Sequence, residues 1–390
     1  MRILFSGGGT GGHIYPIIAV AREIQRIFPD EYLPSSFWKN EKKPERLEFF
    51  YVGPKDEISS VLFTEEGIKF KGVIAGKMRR YFGLLAFWQN LIDIIFKIPL
   101  GILQSLFYIF FLSPDIIFSK GGYGSLPAVI SGWLLQVPIF LHESDIAPGA
   151  ANKFLSRFAL EIFISFPIQR TEYFSPQKMI SLGNPIRREI LEGSKEEAQT
   201  LFKFVGKKPI ILILGGSQGA QRINEIILQM LSELLINYEV IHQVGPKNLK
   251  DIEAETSVVV SEELKKYYHL FPFLNEQELR GAYAAADLII SRAGSGSIFE
   301  ISALGKPSIL IPLPNSAQDH QIKNAYAYAE AGATLIIEQA NLTPHFFLEK
   351  LKYLFSHPDE LEEMARKAGE FSKPRAAQMV AEYLIGYLFQ

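Results

Sequence analysis

A run of small residues followed by one acid, between positions 292 and 300, has the composition of a phosphate-binding turn. The loop Arg292-Ala293-Gly294-Ser295-Gly296-Ser297 follows an apolar run, Leu288-Ile289-Ile290, which predicts a buried strand. Where such a loop opens a helix, its exposed backbone N–H groups bind anions such as phosphate. The carboxylate of Glu300, further along the helix, would repel a phosphate but can accept hydrogen bonds from the two hydroxyls of a ribose. The pattern therefore predicts a nucleotide held by its phosphates and its ribose.

Ser297 and Glu300 also fit a purely structural pattern, the capping box, in which the acid returns to the backbone amide at the helix start. These residues alone leave both interpretations open. The longer string Gly294-Ser295-x-Ser297-x-x-Glu300-x-x-x-x-Gly305-x-Pro307 is far more specific. It resembles the donor signature of nucleotide-diphosphate-sugar glycosyltransferases with two Rossmann-like domains, the GT-B fold, and that resemblance favours ribose binding.

A second glycine turn, Gly7-x-Gly9-x-x-Gly12, follows the apolar run Ile3-Leu4-Phe5 and opens a predicted helix. Its spacing formally matches the dinucleotide-binding fingerprint of dehydrogenases, which needs an acid at the end of the second strand to hold a ribose. The second predicted strand, 47–52, runs instead into Gly53-Pro54, and Asp56 comes late. A dehydrogenase is therefore disfavoured.

His13 closes this turn at the carboxyl edge of the predicted sheet. A base that removes a proton from a reacting hydroxyl works best with a pKa near neutrality, so His13 is the candidate catalytic residue. A nearby carboxylate such as Asp145 could orient the ring and raise its pKa. His142, which ends another predicted strand, is the alternative base. A structural role, in which His13 only caps its helix or braces Asp145, stays open.

The composition predicts a two-domain globular protein without disulfides. A length of 390 residues suggests two domains, and a hydrophobic content of 48% supplies two cores. The net charge of −2 and the lack of a Lys/Arg block exclude a general nucleic-acid binder. There is no cysteine, and the first residues run at once into glycines, unlike a signal peptide. The sequence has no Asp-x-Asp motif and no spacing typical of a metal site, so no metal or other cofactor is expected.

Residues 77–112 combine a basic start with a long apolar run. The basic residues are Lys77, Arg79 and Arg80. Pro99 and Gly101 interrupt the run, and the uncharged piece after Lys97 is about 15 residues, short of the ~20 that span a bilayer. We expect a surface helix that lies at an anionic membrane interface. Its predicted membrane-contacting side chains are Phe82, Phe87 and Trp88. A wholly buried helix is the alternative.

Both halves of the chain repeat the order strand, glycine turn, helix, which predicts an α/β protein with parallel sheets. We expect an N-terminal domain at 1–184, a C-terminal domain at 185–365, and a final helix in 366–390 that packs back on the first domain. The polar loop 29–46 is expected to be peripheral.

Segments spread over nearly the whole chain resemble the MurG family of glycosyltransferases. They are Gly8-Gly9-Thr10-Gly11-Gly12-His13, Gly121-Gly122-Tyr123, His142-Glu143, Gly183-Asn184-Pro185-Ile186-Arg187, Gly215-Gly216-Ser217-Gln218-Gly219-Ala220, the donor signature at 294–307 and the segment through Gln321 and Asn324. The resemblance implies a GT-B fold, in which two Rossmann-like, doubly wound parallel-sheet domains face each other across a cleft. It also implies inverting transfer of N-acetylglucosamine from UDP-N-acetylglucosamine to the polyprenyl-diphosphate-linked N-acetylmuramyl-pentapeptide of peptidoglycan synthesis. The implied location is peripheral, at the cytoplasmic face of the plasma membrane.

The same resemblance implies a role for individual residues. Arg187 and Ser217 would hold the donor diphosphate, backbone near Leu274 the uracil, Glu300 the ribose, and Gln321 the sugar. The rest of the implied donor site is Ser295, Gly296, Ser297, Ile298 and Phe299 with Thr10, Gly11, Gly12 and Asp145. The residues implied for the acceptor phosphates are Gly9, Gly121, Gly122 and Tyr123. A surface ion pair is the alternative role of Arg187.

Two residues depart from the family pattern. The family usually carries Asn where this chain has Asp145, and an acid accepts from a sugar hydroxyl but cannot donate to it. His320 stands where some members have Gln. Three other functions are considered: a related glycosyltransferase that adds sugar to diacylglycerol, a UDP-sugar 2-epimerase, and a non-catalytic nucleotide-sugar binding module. The retained His13 and glycine turns argue against the last.

Overall fold

The computed structural model describes residues 1–28, 46–76, 84–167, 173–206, 208–216 and 220–389. They form two compact units. The N-terminal unit contains Met1–Arg187 and Pro374–Gln390, and the C-terminal unit contains Arg188–Lys373. The chain thus divides at 187/188 and 373/374, where the sequence analysis placed divisions at 184/185 and 365/366.

The N-terminal unit is built on a seven-stranded parallel sheet. Its strands are β1 (Arg2–Ser6), β2 (Glu48–Pro54), β3 (Ile68–Val73), β4 (Ile116–Ser119), β5 (Ile139–Glu143), β6 (Glu161–Ile164) and β7 (Met179–Ser181). Their order in the sheet is β3-β2-β1-β4-β5-β6-β7. Its α-helices are α1 (Gly11–Ile27), α2 (Glu57–Glu65), α3 (Leu84–Ile92), α4 (Ile98–Leu112), α5 (Leu126–Leu134), α6 (Ala150–Leu155) and, from the end of the chain, α17 (Ala376–Leu388).

Both faces of this sheet are buried because successive residues of each strand point to opposite sides. Ile3 and Phe5 pack in a core with α1 and α17, whereas Leu4 packs in a second core with α4 and α5. Ser6 pairs with Ser119 in register, and Ser119 pairs with Leu141. The turns that follow β1, β4 and β5 therefore meet at one edge of the sheet.

The C-terminal unit is a six-stranded parallel sheet. Its strands are β8 (Ile210–Leu214), β9 (Glu239–Gln243), β10 (Tyr268–Phe271), β11 (Leu288–Ser291), β12 (Ser308–Leu310) and β13 (Leu335–Ile336), in the order β10-β9-β8-β11-β12-β13. Its α-helices are α7 (Arg188–Leu191), α8 (Lys195–Phe202), α9 (Gln221–Asn237), α10 (Leu249–Val259), α11 (Glu262–Lys265), α12 (Glu276–Ala285), α13 (Ser295–Ala303), α14 (His320–Ala329), α15 (Pro344–Ser356) and α16 (Pro358–Phe371). Two parallel sheets confirm the predicted α/β class.

Strand β3 was not predicted from the sequence. Its residues mix lysines with apolar side chains, and Lys69 is exposed. A strand at the edge of a sheet carries such charges because they discourage pairing with another chain. Of the loop 29–46, only Arg46 is among the described residues.

The apolar stretch forms one continuous run of helix, with α3 and α4 joined by the π-helical segment Asp93–Lys97. Pro99 and Gly101 do not interrupt it. Pro99 lies in the first turn of α4, where a missing N–H donor is tolerated. By length and composition alone, Trp88–Leu112 is long and apolar enough to cross a membrane. Only 17% of its most apolar window is buried, so the alternative of a wholly buried helix is wrong.

Two polar residues of this helix, Asp93 and Gln104, contact the rest of the protein, whereas many of its apolar residues are exposed. Asp93 is buried and pairs with Lys97 at 2.6 Å. Gln104 Oε1 accepts a hydrogen bond from the Ile74 amide at 2.8 Å. The exposed apolar helix face consists of Trp88, Ile92, Ile94, Ile95, Phe96, Leu100, Leu103, Phe107, Phe110 and Phe111. Phe82 and the side chain of Phe87 lie outside the described part of the chain.

Candidate active site

The glycine turn after β1 holds the His13 ring between two backbone segments. His13 lies in the first turn of α1, and its Nδ1 is 2.9 Å from the Thr10 hydroxyl oxygen. A β-carbon at Gly8 would lie 2.9 Å from Nδ1, and a β-carbon at Gly122 would lie 3.2 Å from Nε2. Glycine at both positions therefore makes room for the ring. Because no side chain caps the start of α1, His13 has no capping role there.

The pKa of His13 is lowered to about 4, first by burial of the ring and then by the positive charge of Lys120. Asp145 acts in the opposite direction but is outweighed. Asp145 thus raises the pKa of His13, as expected, but burial outweighs it because desolvation disfavours the imidazolium. The ring is consequently neutral at physiological pH and can accept a proton.

The amides of Gly121 and Gly122 are already hydrogen-bonded within the N-terminal unit. The Gly121 N–H donates to the Ser119 hydroxyl at 3.1 Å, and the Gly122 N–H donates to Asn152 Oδ1 at 2.9 Å. A β-carbon at Gly121, where φ is 75°, would lie 1.7 Å from Asn152 Oδ1. These two amides are therefore not available to the acceptor phosphates in this structure, which corrects the sequence-based role. A β-carbon at Gly12 would meet nothing within 4 Å, so the start of α1 is open.

The other predicted residues of this edge are accessible. Gly9, Thr10 and Gly12 are exposed, whereas Gly11 and Tyr123 are half-buried. The first amides of a helix have no acceptor within the helix, so those of Gly11 and Gly12 are suited to an anion. The start of α1 is thus the better anion site of the two glycine turns.

A buried lysine links the segments that follow β4, β5 and β7. Lys120 is 2% exposed, and its ammonium donates to His142 Nδ1 at 2.7 Å and to the Ser144 hydroxyl. The hydrogen-bond pattern makes His142 Nε2 the donor to the Gly183 carbonyl at 3.0 Å, and Ser144 donates to Asn184 Oδ1 at 3.0 Å. His142 is completely buried with both ring nitrogens engaged, so it cannot serve as the alternative base.

The charged groups beside Lys120 are also buried. Burial lowers the pKa of Lys120, and burial raises the pKa of Glu143, because a low-dielectric interior disfavours each charged form. Glu143 accepts hydrogen bonds from the Asp145 amide at 2.9 Å and from Asn152 Nδ2 at 2.8 Å. Since Asn152 also binds the Gly122 amide, Glu143 connects Asp145 to the glycine turn beside His13.

Arg187, at the end of the N-terminal unit, packs against α1. It is 6% exposed, and its guanidinium carbon lies 4.0 Å from the centroid of the Tyr15 ring. A cation over an aromatic face is held by electrostatic attraction. Because Arg187 is buried, its position does not match the surface location that the alternative role requires.

In the C-terminal unit, α13 begins at Ser295 with Gly294 as N-cap and without a side-chain cap. A capping box needs the acid at the third helical position, whereas Glu300 is three residues further along. Glu300 Oε2 instead accepts a hydrogen bond from the Tyr283 hydroxyl at 2.8 Å. Glu300 therefore does not form the capping box, and its side chain is half-buried.

Two residues predicted to contact the sugar-nucleotide donor are buried within the C-terminal unit. Ile298 is 0% exposed and Phe299 is 2% exposed, and the Ile298 amide donates to the Gly294 carbonyl. Neither side chain is accessible to a donor substrate, because both are buried within the C-terminal unit. Ser295, Gly296 and Ser297 are half-buried at the start of α13.

The backbone amide of Leu274, predicted to lie beside the uracil, is already hydrogen-bonded to a side chain. Gln243, at the end of β9, accepts a hydrogen bond from the Leu274 amide at 3.0 Å and donates to the Gly216 carbonyl at 3.4 Å. Gln243 therefore joins the glycine turn after β8 to the loop at Leu274. A uracil that used the Leu274 amide would have to displace this bond. Ser217 lies outside the described residues.

Gln321 is the second residue of α14, which follows a loop of unusual backbone. Asn315, Gln318 and Asp319 have φ values of 56°, 56° and 54°. Residues other than glycine rarely adopt this left-handed conformation, and such strain concentrates at functional sites. Gln321 Oε1 accepts from the Leu313 amide at 2.9 Å, so the predicted sugar-binding side chain is tied to the same loop.

Sequence reasoning missed Lys120, Gln243 and Tyr283 as members of these networks. Lys120 carried a signal, since it is the one charged residue between a buried strand and a glycine pair. No comparable sequence signal marked Gln243 or Tyr283, because their hydrogen-bond partners lie far away in the sequence.

Two family models match the chain. The glycosyltransferase family 28 N-terminal domain matches residues 41–164, and the family 28 C-terminal domain matches residues 210–380. The chain is 36% identical over 384 residues to the UDP-N-acetylglucosamine–N-acetylmuramyl-(pentapeptide) pyrophosphoryl-undecaprenol N-acetylglucosamine transferase 2 of Bacillus thuringiensis subsp. konkukian (strain 97-27), covering 98% of this chain and 99% of the relative. A Clostridium botulinum (strain Hall) transferase of the same name is 36% identical over 357 residues, covering 91% of each chain.

Solved structures share the fold across the full length. Acinetobacter baumannii MurG superposes with a TM-score of 0.69 at 24% identity and 98% coverage of both chains. A Neisseria meningitidis UDP-GlcNAc 2-epimerase superposes with a TM-score of 0.65 at 16% identity, covering 98% of this chain and 99% of that one. The two parallel sheets and their glycine turns thus define a protein of the GT-B class. Within glycosyltransferase family 28, the chain belongs to the MurG family.

Proposed function

We propose that the chain transfers N-acetylglucosamine from UDP-N-acetylglucosamine to a lipid-linked N-acetylmuramyl-pentapeptide. The observation that carries this proposal is the 36% identity across 98% of the chain to a transferase named for that reaction. The site geometry supports it. The first turn of α13 and Glu300 suit a nucleotide, and the open start of α1 beside His13 suits an acceptor phosphate.

The reaction is a single inverting displacement at the anomeric carbon of the donor sugar. An acceptor hydroxyl oxygen forms the new bond to this carbon while the bond to the UDP oxygen breaks, and UDP leaves with the bonding electrons. The hydroxyl proton passes to the neutral His13 ring. Glu300 accepts hydrogen bonds from the ribose hydroxyls, Gln321 contacts the sugar, and backbone near Leu274 receives the uracil.

The experiment that tests this function offers the purified chain UDP-N-acetylglucosamine with a short-chain muramyl-pentapeptide lipid. The expected result is a disaccharide product and one UDP for each product. Transfer to diacylglycerol in its place would identify the related lipid glycosyltransferase. Release of free sugar without an acceptor would identify an epimerase, and binding of UDP without turnover would identify a binding module.

We also propose that the transfer needs no metal ion. The negative charge that develops on UDP would be stabilised by helix N-termini, by glycine-turn amides and by Arg187 together with Ser217. Exhaustive treatment with EDTA should therefore leave most of the transferase activity, measured as initial rate in metal-free buffer. Loss of the activity that magnesium or manganese restores would contradict this account of the leaving group.

The exposed apolar helix face suits a peripheral site at the cytoplasmic face of the membrane, where the lipid-linked acceptor would be found. Phe107, Phe110 and Phe111 are 61%, 63% and 66% exposed. Aromatic side chains on one face of a surface helix insert into the boundary between headgroups and acyl chains. The opposite face, with Gly101, Ser105 and Ile109, is buried in the protein, which favours a helix that lies on the membrane over one that leaves the fold to span it.

Replacement of Phe107, Phe110 and Phe111 by serine should abolish binding to anionic vesicles. Salt alone should release the unmodified protein only in part, because apolar burial is not screened. Cosedimentation with vesicles measures the binding. Val258→Ser is the matched control, since Val258 is 84% exposed on α10 of the C-terminal unit. Full vesicle binding by the triple variant would contradict the assignment, and an unchanged thermal midpoint would show that its fold is intact.

A further inference from the structure

A buried tyrosine contacts the carboxylate assigned to the ribose. Tyr283, on α12, is 0% exposed, and its hydroxyl donates to Glu300 Oε2 on α13 across 2.8 Å. The Tyr283 ring belongs to the core that contains Leu274, Ala293 and Ile298. The ring is therefore fixed by packing, and its hydroxyl is presented to Glu300 from a rigid position.

This bond restricts the rotamer of a side chain that has several rotatable bonds. A glutamate loses substantial rotamer freedom when it is ordered, and a ligand that orders it must offset that loss. A fixed donor to one carboxylate oxygen selects the rotamer before the ligand arrives. The two oxygens of a carboxylate offer about four lone-pair positions, so a bond from Tyr283 is compatible with hydrogen bonds from the hydroxyls of a diol.

We propose that Tyr283 is a positioning residue for nucleotide recognition: its hydroxyl holds Glu300 in the rotamer that accepts the ribose hydroxyls, and preference for a ribonucleotide depends on it. The inference rests on the proposed function, in which Glu300 binds the ribose. Tyr283 itself is fully buried. In this proposal its effect on binding passes through Glu300, which distinguishes the role from that of a core residue.

The chain offers a matched control in the same unit. Tyr328, on α14, is also 0% exposed, and its hydroxyl has no hydrogen-bond partner among the described residues. Its ring packs on Phe371 at 5.0 Å between centroids. Tyr328→Phe removes a buried hydroxyl from the C-terminal unit without touching Glu300.

The test is calorimetric titration of the full chain with UDP and with 2′-deoxy-UDP. Tyr283→Phe should weaken UDP binding by about 5- to 50-fold, because a hydrogen bond to a charged group is being lost. The preference for UDP over 2′-deoxy-UDP should shrink accordingly. Tyr283→Phe should add no further loss to Glu300→Ala, which removes the acceptor of the Tyr283 hydroxyl, and Tyr328→Phe should bind both nucleotides as the unmodified chain does. In kinetics, donor KM should rise with kcat little changed.

Other outcomes would overturn the inference. These are unchanged UDP affinity of Tyr283→Phe, an equal loss for Tyr328→Phe, or losses that simply add in the double variant. Failure of the unmodified chain to bind UDP would instead contradict the proposed function. If Tyr283→Phe does not fold, difluorotyrosine at position 283 serves in its place, since its hydroxyl ionises at lower pH. UDP binding by that variant should be lost on raising the pH while the unmodified chain still binds, and retained binding would refute the role.

Discussion

Replacement of His13 by alanine should lower kcat by about 10²–10⁴-fold and leave donor KM little changed. The ring is neutral at physiological pH because burial and the charge of Lys120 lower its pKa to about 4. It can therefore accept the proton of the acceptor hydroxyl as the new bond forms. The measurement is the initial rate of disaccharide formation at saturating concentrations of both substrates.

The pH dependence gives the same assignment a second test. A base must be unprotonated to act, so the rate should fall on the acid side only as the pH approaches the lowered pKa of His13, about 4. An unperturbed histidine would lose activity near its ordinary value of about 6.5. Thermal unfolding in the same buffers separates inactivation from loss of fold. His357→Ala, an exposed histidine of the C-terminal unit, is the control. A loss confined to donor KM would make His13 a binding residue, and another base would be required.

Replacement of Lys120 by methionine should reduce both stability and activity. Methionine keeps the length of the side chain but leaves His142 Nδ1 and the Ser144 hydroxyl without their buried donor. It also removes the positive charge that opposes Glu143 and Asp145. We expect the free energy of unfolding to fall by about 2–4 kcal/mol, measured by denaturant titration. Because Lys120 lowers the pKa of His13, the acid limb of the rate profile should move to higher pH.

The shift of the acid limb separates an electrostatic role of Lys120 from a structural one. Lys178→Met is the matched control, because the Lys178 ammonium donates to the Ala159 carbonyl at 2.7 Å in the same unit. This variant should lose stability without moving the limb. If Lys120→Met leaves the limb in place, the charge of Lys120 does not govern His13. If Lys178→Met moves the acid limb by the same amount, the shift results from loss of stability and not from the charge of Lys120.

The outline of the fold and part of the candidate site followed from neighbouring residues in the sequence. Apolar runs such as Ile3-Leu4-Phe5 and Leu288-Ile289-Ile290 are buried strands, and the glycine turns that follow them open α1 and α13. The strands and the turns are both predicted by local signals, because hydrophobic periodicity and turn chemistry depend on neighbouring residues. The long apolar helix at Trp88–Leu112 was predicted from composition, although the burial of Asp93 and the bond from Gln104 to the Ile74 amide were not.

The tertiary structure decided which of these groups are available and in which protonation state. Asn152 accepts a hydrogen bond from the Gly122 amide, and the Gly183 carbonyl accepts one from Nε2 of His142. Tyr283 donates a hydrogen bond to one oxygen of Glu300. Each of these hydrogen bonds joins residues that are distant in the sequence, so no local sequence pattern predicts it. The direction of a pKa shift depends on burial, which arises only when the strands and helices pack. The sequence therefore determined where chemistry could occur. Packing determined that the His13 ring is neutral, that His142 cannot act as a base and that Glu300 does not cap its helix.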